Sequence, residues 1–183
     1  MRIIAGAWRG RRLAAPAGQG TRPTADRVRQ ALFDMLLHAP WGGHAVLEGA
    51  AVLDAFAGTG ALGLEALSRG AAAATFIERD AAALATLRAN IAACGAADRA
   101  RILAADATRP PPGDPCTLAF LDPPYGADLV ARAVAALDAA GWLAPRALIV
   151  GECGRAEALP ALGEKLAERA HGAARLAVWR HGG

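Results

Sequence analysis

Between residues 51 and 152 the chain alternates short apolar runs with longer segments whose apolar residues recur every three or four positions. Ala51 to Phe56 reads as a strand, Ala61 to Arg69 as a helix, Ala73 to Glu78 as a strand, Ala81 to Cys94 as a helix and Ala100 to Ala104 as a strand. After a proline-rich loop at 109 to 115 come a strand at Thr117 to Leu121, a helix at Asp128 to Ala140 and a strand at Ala147 to Glu152. Such alternation leaves few topologies, because parallel strands need crossover connections and the crossovers place helices on the sheet faces. The pattern predicts an α/β fold with a mostly parallel sheet and helices on both faces. Lys165 to Ala170 and Arg175 to Trp179, separated by Gly172, predict an antiparallel hairpin at its carboxyl-terminal edge.

The preceding segment is different. Residues 1 to 23 read as extended pieces broken by glycines and prolines, with strands at Arg2 to Ala5 and Arg11 to Ala14. Thr24 can cap a helix whose apolar stripe is Val28, Ala31, Leu32, Met35 and Leu36, which leaves Arg22, Arg27 and Arg29 facing outward. The formal net charge of the 183 residues is only +3. Residues 1 to 29 nevertheless hold seven arginines (Arg2, Arg9, Arg11, Arg12, Arg22, Arg27, Arg29) against one acid, Asp26. A basic arm on an acidic body points to a polyanionic partner, usually nucleic acid. We therefore divide the chain into a basic extension, 1–40, and a compact unit, 41–183.

No run approaches the roughly 18 to 20 apolar residues that span a bilayer, and the opening Met1-Arg2-Ile3-Ile4-Ala5-Gly6 lacks a secretory signal. A cytoplasmic protein is expected. Cys94, Cys116 and Cys153 are too widely spaced for a zinc motif and odd in number, so free buried thiols are expected and no metal site. The scattered His38, His44, His171 and His181 receive no role.

Asp54-Ala55-Phe56-Ala57-Gly58-Thr59-Gly60-Ala61-Leu62-Gly63 sits between a strand and a helix, the context in which Gly-x-Gly-x-x-Gly has physical meaning. Glycines let the backbone turn and approach a ligand at the helix amino terminus. Glu78 ends the next strand, where a carboxylate can accept from ribose hydroxyls, and Asp106 follows the third, where it can accept from an adenine amine. Asp54 at the strand end suits a ligand carrying an ammonium and a sulfonium, and disfavours a pyrophosphate. No Gly-x-x-x-x-Gly-Lys-Ser/Thr loop for a nucleoside triphosphate occurs. A dinucleotide site or a ligand-free structural turn would also satisfy the glycine motif alone.

Asp122-Pro123-Pro124-Tyr125 follows the fourth strand, at the carboxyl edge where open sheets of this kind place their sites. Two prolines remove two N–H donors and fix the direction of the carbonyls. Asp122 and the Pro123 carbonyl can then accept both hydrogens of an exocyclic base amine, while Tyr125 offers a face for stacking. Holding those hydrogens aims the nitrogen lone pair at an electrophilic methyl group.

In this order, Asp54 to Gly63, Glu78, Asp106 and Asp122 to Tyr125 resemble a Rossmann-like class I S-adenosylmethionine-dependent methyltransferase acting on an exocyclic amine. Arg2-Ile3-Ile4-Ala5-Gly6 and Arg22-Pro23-Thr24-Ala25-Asp26-Arg27-Val28-Arg29-Gln30-Ala31-Leu32-Phe33 resemble the bacterial small-subunit rRNA guanine-N2 methyltransferase family, in which Gln30 is more often a glutamate. The resemblance implies a seven-stranded sheet and methylation of the N2 amine of a guanine in 16S rRNA. It implies a cofactor pocket of Asp54, Phe56, Gly58, Thr59, Gly60, Gly63, Glu78, Arg79, Asp106 and Ala107, with Asp122, Pro123, Pro124 and Tyr125 catalytic. Arg9, Arg11, Arg12, Arg22, Thr24, Arg27 and Arg29 would hold the RNA, within an assembled or partly assembled small subunit, and the enzyme would be monomeric. The alternatives are DNA adenine-N6 or cytosine-N4 methylation, protein glutamine methylation, and a non-catalytic RNA-binding module. The chain is short for the first, Asp122 disfavours the second and the intact tetrapeptide argues against the third.

Overall fold

The computed structural model describes residues 1–15, 23–124, 126, 128–172 and 174–182. Its elements are α1 (Pro23–His38), β1 (Ala51–Ala55), α2 (Ala61–Ser68), β2 (Ala73–Glu78), α3 (Ala81–Cys94), β3 (Ala100–Ala104), β4 (Cys116–Leu121), α4 (Leu129–Ala139), β5 (Leu143–Gly154), β6 (Gly163–His171) and β7 (Ala174–His181). The strands form one seven-stranded sheet in the order β3-β2-β1-β4-β5-β7-β6. The first five are parallel to one another, and β7 runs antiparallel to both β5 and β6. This is the expected α/β architecture with its terminal hairpin.

Central strands are apolar on both faces, as a sheet covered twice requires. Alternate residues feed two cores. Val52, Phe76, Leu118 and Phe120 pack with α1, α2 and α3 on one face, whereas Leu53, Ile77, Ala119 and Ile149 pack with α4 and Trp179 on the other. Helix α3 is bounded by chemistry visible in the sequence. The Asp80 side chain accepts from the Ala83 N–H at 2.8 Å, and Gly95, at φ +63°, ends the helix. Cys94, Cys116 and Cys153 are free and buried.

Three local expectations need correction. The strands predicted at Arg2 to Ala5 and Arg11 to Ala14 are reduced to one antiparallel bridge, Arg2 to Arg12, because the N–H groups of Ile4 and Ala5 turn away to the Glu65 carboxylate at 2.8 and 3.0 Å. Helix α1 starts at Pro23, a favoured first-turn residue, so Thr24 lies inside the helix and does not cap it. Its buried stripe is Arg29, Leu32, Phe33 and Leu36; Ala31 is exposed. Strand β5 starts at Leu143, four residues early, because a bulge opposite Cys116 to Leu118 absorbs Arg146 at φ +64°.

The amino-terminal segment adds Ile3 and Leu13, both buried, to the same core as the sheet. Gly6, at φ +80°, lies so close to α2 that a Cβ there would meet the Ser68 carbonyl oxygen at 1.8 Å.

Candidate active site and basic arm

The carboxyl ends of β1 to β4 open on a cleft of about 470 Å³ lined by Phe56, Glu78, Arg79, Asp106, Asp122 and Pro124, among others. Ala107 also lines it. Residues from four separate segments therefore meet at one place, as the sequence pattern requires of an open α/β sheet.

Asp54, Gly58, Thr59, Gly60 and Gly63 frame this cleft and do not line it. Asp54 is 2% exposed, and its Oδ2 accepts from the Gly63 N–H at 2.8 Å, which fixes the first turn of α2 to the end of β1. Burial pushes its carboxyl up to about 8, with repulsion from Asp122 and Glu78 adding to the rise and the Gly63 bond opposing it. Gly60 and Gly63 permit close packing: a Cβ on either would lie 2.4 Å from a side-chain carbon, of Leu87 and Phe76 respectively. Glu78 gathers backbone donors. Its Oε2 accepts from Gly58 N–H at 2.8 Å, and its Oε1 accepts from Arg79 and Asp80 N–H at 2.8 and 2.7 Å. It thus joins the glycine loop to the turn after β2.

Asp106 accepts from both the backbone and the hydroxyl of Thr108, and from Arg79 Nη1 at 2.8 Å. The Thr108 bonds, then Arg79, hold its carboxyl below the usual range. Asp122 faces the open cleft, yet protein crowds its other sides. That loss of bulk water, with repulsion from Glu152, pushes its carboxyl up to about 7. No described residue hydrogen-bonds to the Asp122 carboxylate, so its acceptor positions stay open to a ligand amine. Pro123 is buried and Pro124 exposed; Tyr125 lies outside the described residues. The loop continues to Gly126, whose N–H donates to the Glu157 carboxylate.

Sequence reasoning missed Thr108, Leu129 and Arg132, which line the same cleft. Thr108 carried a signal, since an aspartate two residues before a threonine is a turn pattern. Arg132 carried none, because the face α4 presents is decided by packing.

On the arm, Arg9, Arg11, Arg12 and Arg27 are exposed, and Arg11 also donates to the Ala93 carbonyl near the end of α3. Arg22 and the Thr24 side chain lie outside the described residues. Arg29 must be reassigned. It is 5% exposed, donates to the Arg2 carbonyl and to Asp26 Oδ1, and lies 3.7 Å from Glu65 Oε2. Glu65 is fully buried and is also bound by Arg69 Nε at 2.7 Å. A buried carboxylate attracts the arginine inward, so Arg29 clamps the arm to α2 and is out of reach of RNA. A groove of about 630 Å³ runs between the arm and α1, with Arg2, Arg9 and Arg27 on its walls. Gln30, in the same groove, donates to the Asp34 carboxylate at 2.9 Å, where a glutamate would repel it.

A family model described as conserved hypothetical protein 95 matches residues 1–180. The chain is 45% identical over 162 residues to ribosomal RNA small subunit methyltransferase D of Escherichia coli strain K12, covering 87% of this chain and 78% of that protein. It is 38% identical over 157 residues to the protein of the same name from Haemophilus influenzae, covering 83% and 78%. A solved Escherichia coli structure described as a methyltransferase, yhhF, matches with a TM-score of 0.84 at 40% identity, covering 100% of this chain and 99% of that one. A Thermus thermophilus 16S rRNA N2 methyltransferase in complex with AdoMet and guanosine shares the fold, with a TM-score of 0.66 at 19% identity over 90% of this chain and 44% of that one.

Proposed function

We propose, for a chain that belongs to the conserved hypothetical protein 95 family, the transfer of a methyl group from S-adenosylmethionine to the exocyclic N2 amine of a guanine in small-subunit rRNA. The observation that carries this reading is the meeting of Asp122 and Pro124 with Glu78 and Asp106 in one cleft. Glu78, Asp80 and Asp106 on its walls suit a cationic ligand and disfavour a pyrophosphate. In this reading Glu78 accepts from the ribose and Asp106 from the adenine, with Phe56, Arg79 and Ala107 on the same walls. When bound, the cofactor supplies an electrophilic methyl group on a sulfonium.

The chain's own residues then orient the amine. Asp122 and the Pro123 carbonyl accept its two hydrogens, and the prolines keep competing N–H donors away. A carboxyl pushed up to about 7 is a better proton acceptor than an ordinary aspartate, so Asp122 also suits removal of the proton from the methylated amine. The sequence pattern assigns the stacking face for the base to Tyr125. The exposed arginines 9, 11, 12 and 27 engage the RNA backbone, in an assembled or partly assembled small subunit, and the enzyme acts as a cytoplasmic monomer. Among the described residues, no helix is long and apolar enough to cross a membrane.

The test is transfer of labelled methyl from S-adenosylmethionine to small subunits lacking the modification, followed by mass-spectrometric mapping. Label should appear as N2-methylguanosine; label on adenine, or none with bound cofactor, would refute the reading. Asp122→Ala should remove transfer and leave cofactor affinity within about twofold, since Asp122 acts on the amine and not on the cofactor.

A further inference from the structure

Asn90 is a polar side chain buried to 1% exposure in the middle of α3. Its amide is used three times. Oδ1 accepts from the Ala14 N–H at 2.7 Å, Nδ2 donates to the Ala14 carbonyl at 3.1 Å, and the same nitrogen donates to the Thr59 carbonyl at 2.9 Å. The first two bonds imitate a strand edge and capture one residue of the basic arm. The third captures the middle residue of the glycine loop, between Gly58 at φ +54° and Gly60 at φ +78°. An amide is planar, so the direction in which it meets Ala14 sets the direction in which it meets Thr59.

Two further contacts follow the same line. The Thr59 hydroxyl lies 3.9 Å from the Met1 sulfur, and Arg11 donates to Ala93, one turn beyond Asn90. We propose that Asn90 is a positioning residue that joins the arm to the cofactor loop, so that RNA on the arm and cofactor in the cleft each strengthen the binding of the other. This rests on the functional reading above. Order imposed on either segment by its ligand is transmitted through one shared side chain, and the second ligand then has less to order. Coupling of this kind is reciprocal, with the same factor in both directions.

The experiment measures the affinity for S-adenosylhomocysteine with and without saturating small subunits that lack the modification, and the affinity for those subunits with and without S-adenosylhomocysteine. The unaltered protein should show the same factor in both directions, about fivefold or more. Asn90→Ala should bring that factor to one while each ligand still binds alone. Ala14→Pro removes only the arm-side donor and keeps the bond to Thr59. It should have the same effect, and it decides the matter if Asn90→Ala does not fold. A factor of one in the unaltered protein with both ligands bound, or an unchanged factor in a folded variant, overturns the proposal. Failure of the unaltered protein to bind either ligand overturns the functional reading instead.

Discussion

At the scale of the residue, Asp54 and Asp122 show how one side-chain type is given two tasks by its surroundings. Asp54 is sealed beneath the glycine loop and holds Gly63, whereas Asp122 meets the cleft with its oxygens open. Both carboxyls are raised, so both bind a proton in the folded protein at pH values where the unfolded chain has lost it. Their contribution to stability is complete below about pH 4 and is lost as pH rises, through about 8 for Asp54. Ligand-free protein should therefore melt at lower temperature as pH increases from 5 to 8. Asp54→Asn keeps an acceptor for the Gly63 N–H and removes the titration; thermal melting of this variant should show a distinctly flatter pH slope. Catalysis follows the opposite sign, because Asp122 must be ionised to accept its share of the amine hydrogens and then the proton of the methylated amine. The methylation rate should rise with pH through about 7.

Among the elements, α1 separates what a pattern can reveal from what it cannot. Arginines 27 and 29 lie two positions apart and look alike in the sequence, yet Arg27 is exposed and Arg29 is buried against Glu65. Arg29→Ala should cost stability, about 3 kcal/mol, the low end for breaking a buried ion pair because Arg69 remains on Glu65. Arg27→Ala should leave the denaturation midpoint nearly unchanged and reduce the salt dependence of RNA binding by a slope of about 0.7. Apolar spacing was enough for β2, α3 and β3, whose observed limits are those predicted, because Asp80 and Gly95 mark the turns between them. It failed at α1 because an ion pair with a residue 36 positions later outweighs local polarity. It failed at β5 because a bulge, which reads as a break, lets the strand continue. In the cleft, Glu78, Asp106 and Asp122 were legible from their places at strand ends. Arg132 was not, nor was Asn90 outside the cleft, because both sit on helices whose orientation only tertiary packing decides.

For the whole molecule, the division into a basic extension and an acidic body describes charge and not mechanical independence. Ile3 and Leu13 belong to the core that also holds Val52 and Phe120. Deleting residues 1–15 should therefore do more than weaken RNA binding. Exposing the sites these two side chains cover should remove about 3 to 6 kcal/mol of stability, read as a lowered urea midpoint. The arm is held by Glu65 and Ser68, whose bonds to Ile4, Ala5 and Trp8 span about sixty residues. During synthesis the arm leaves the ribosome before its seat on α2 is made. Its arginines thus pass through the vicinity of ribosomal RNA before the arm has a protein surface to rest on, and a segment made ahead of its seat is among the last to find its place.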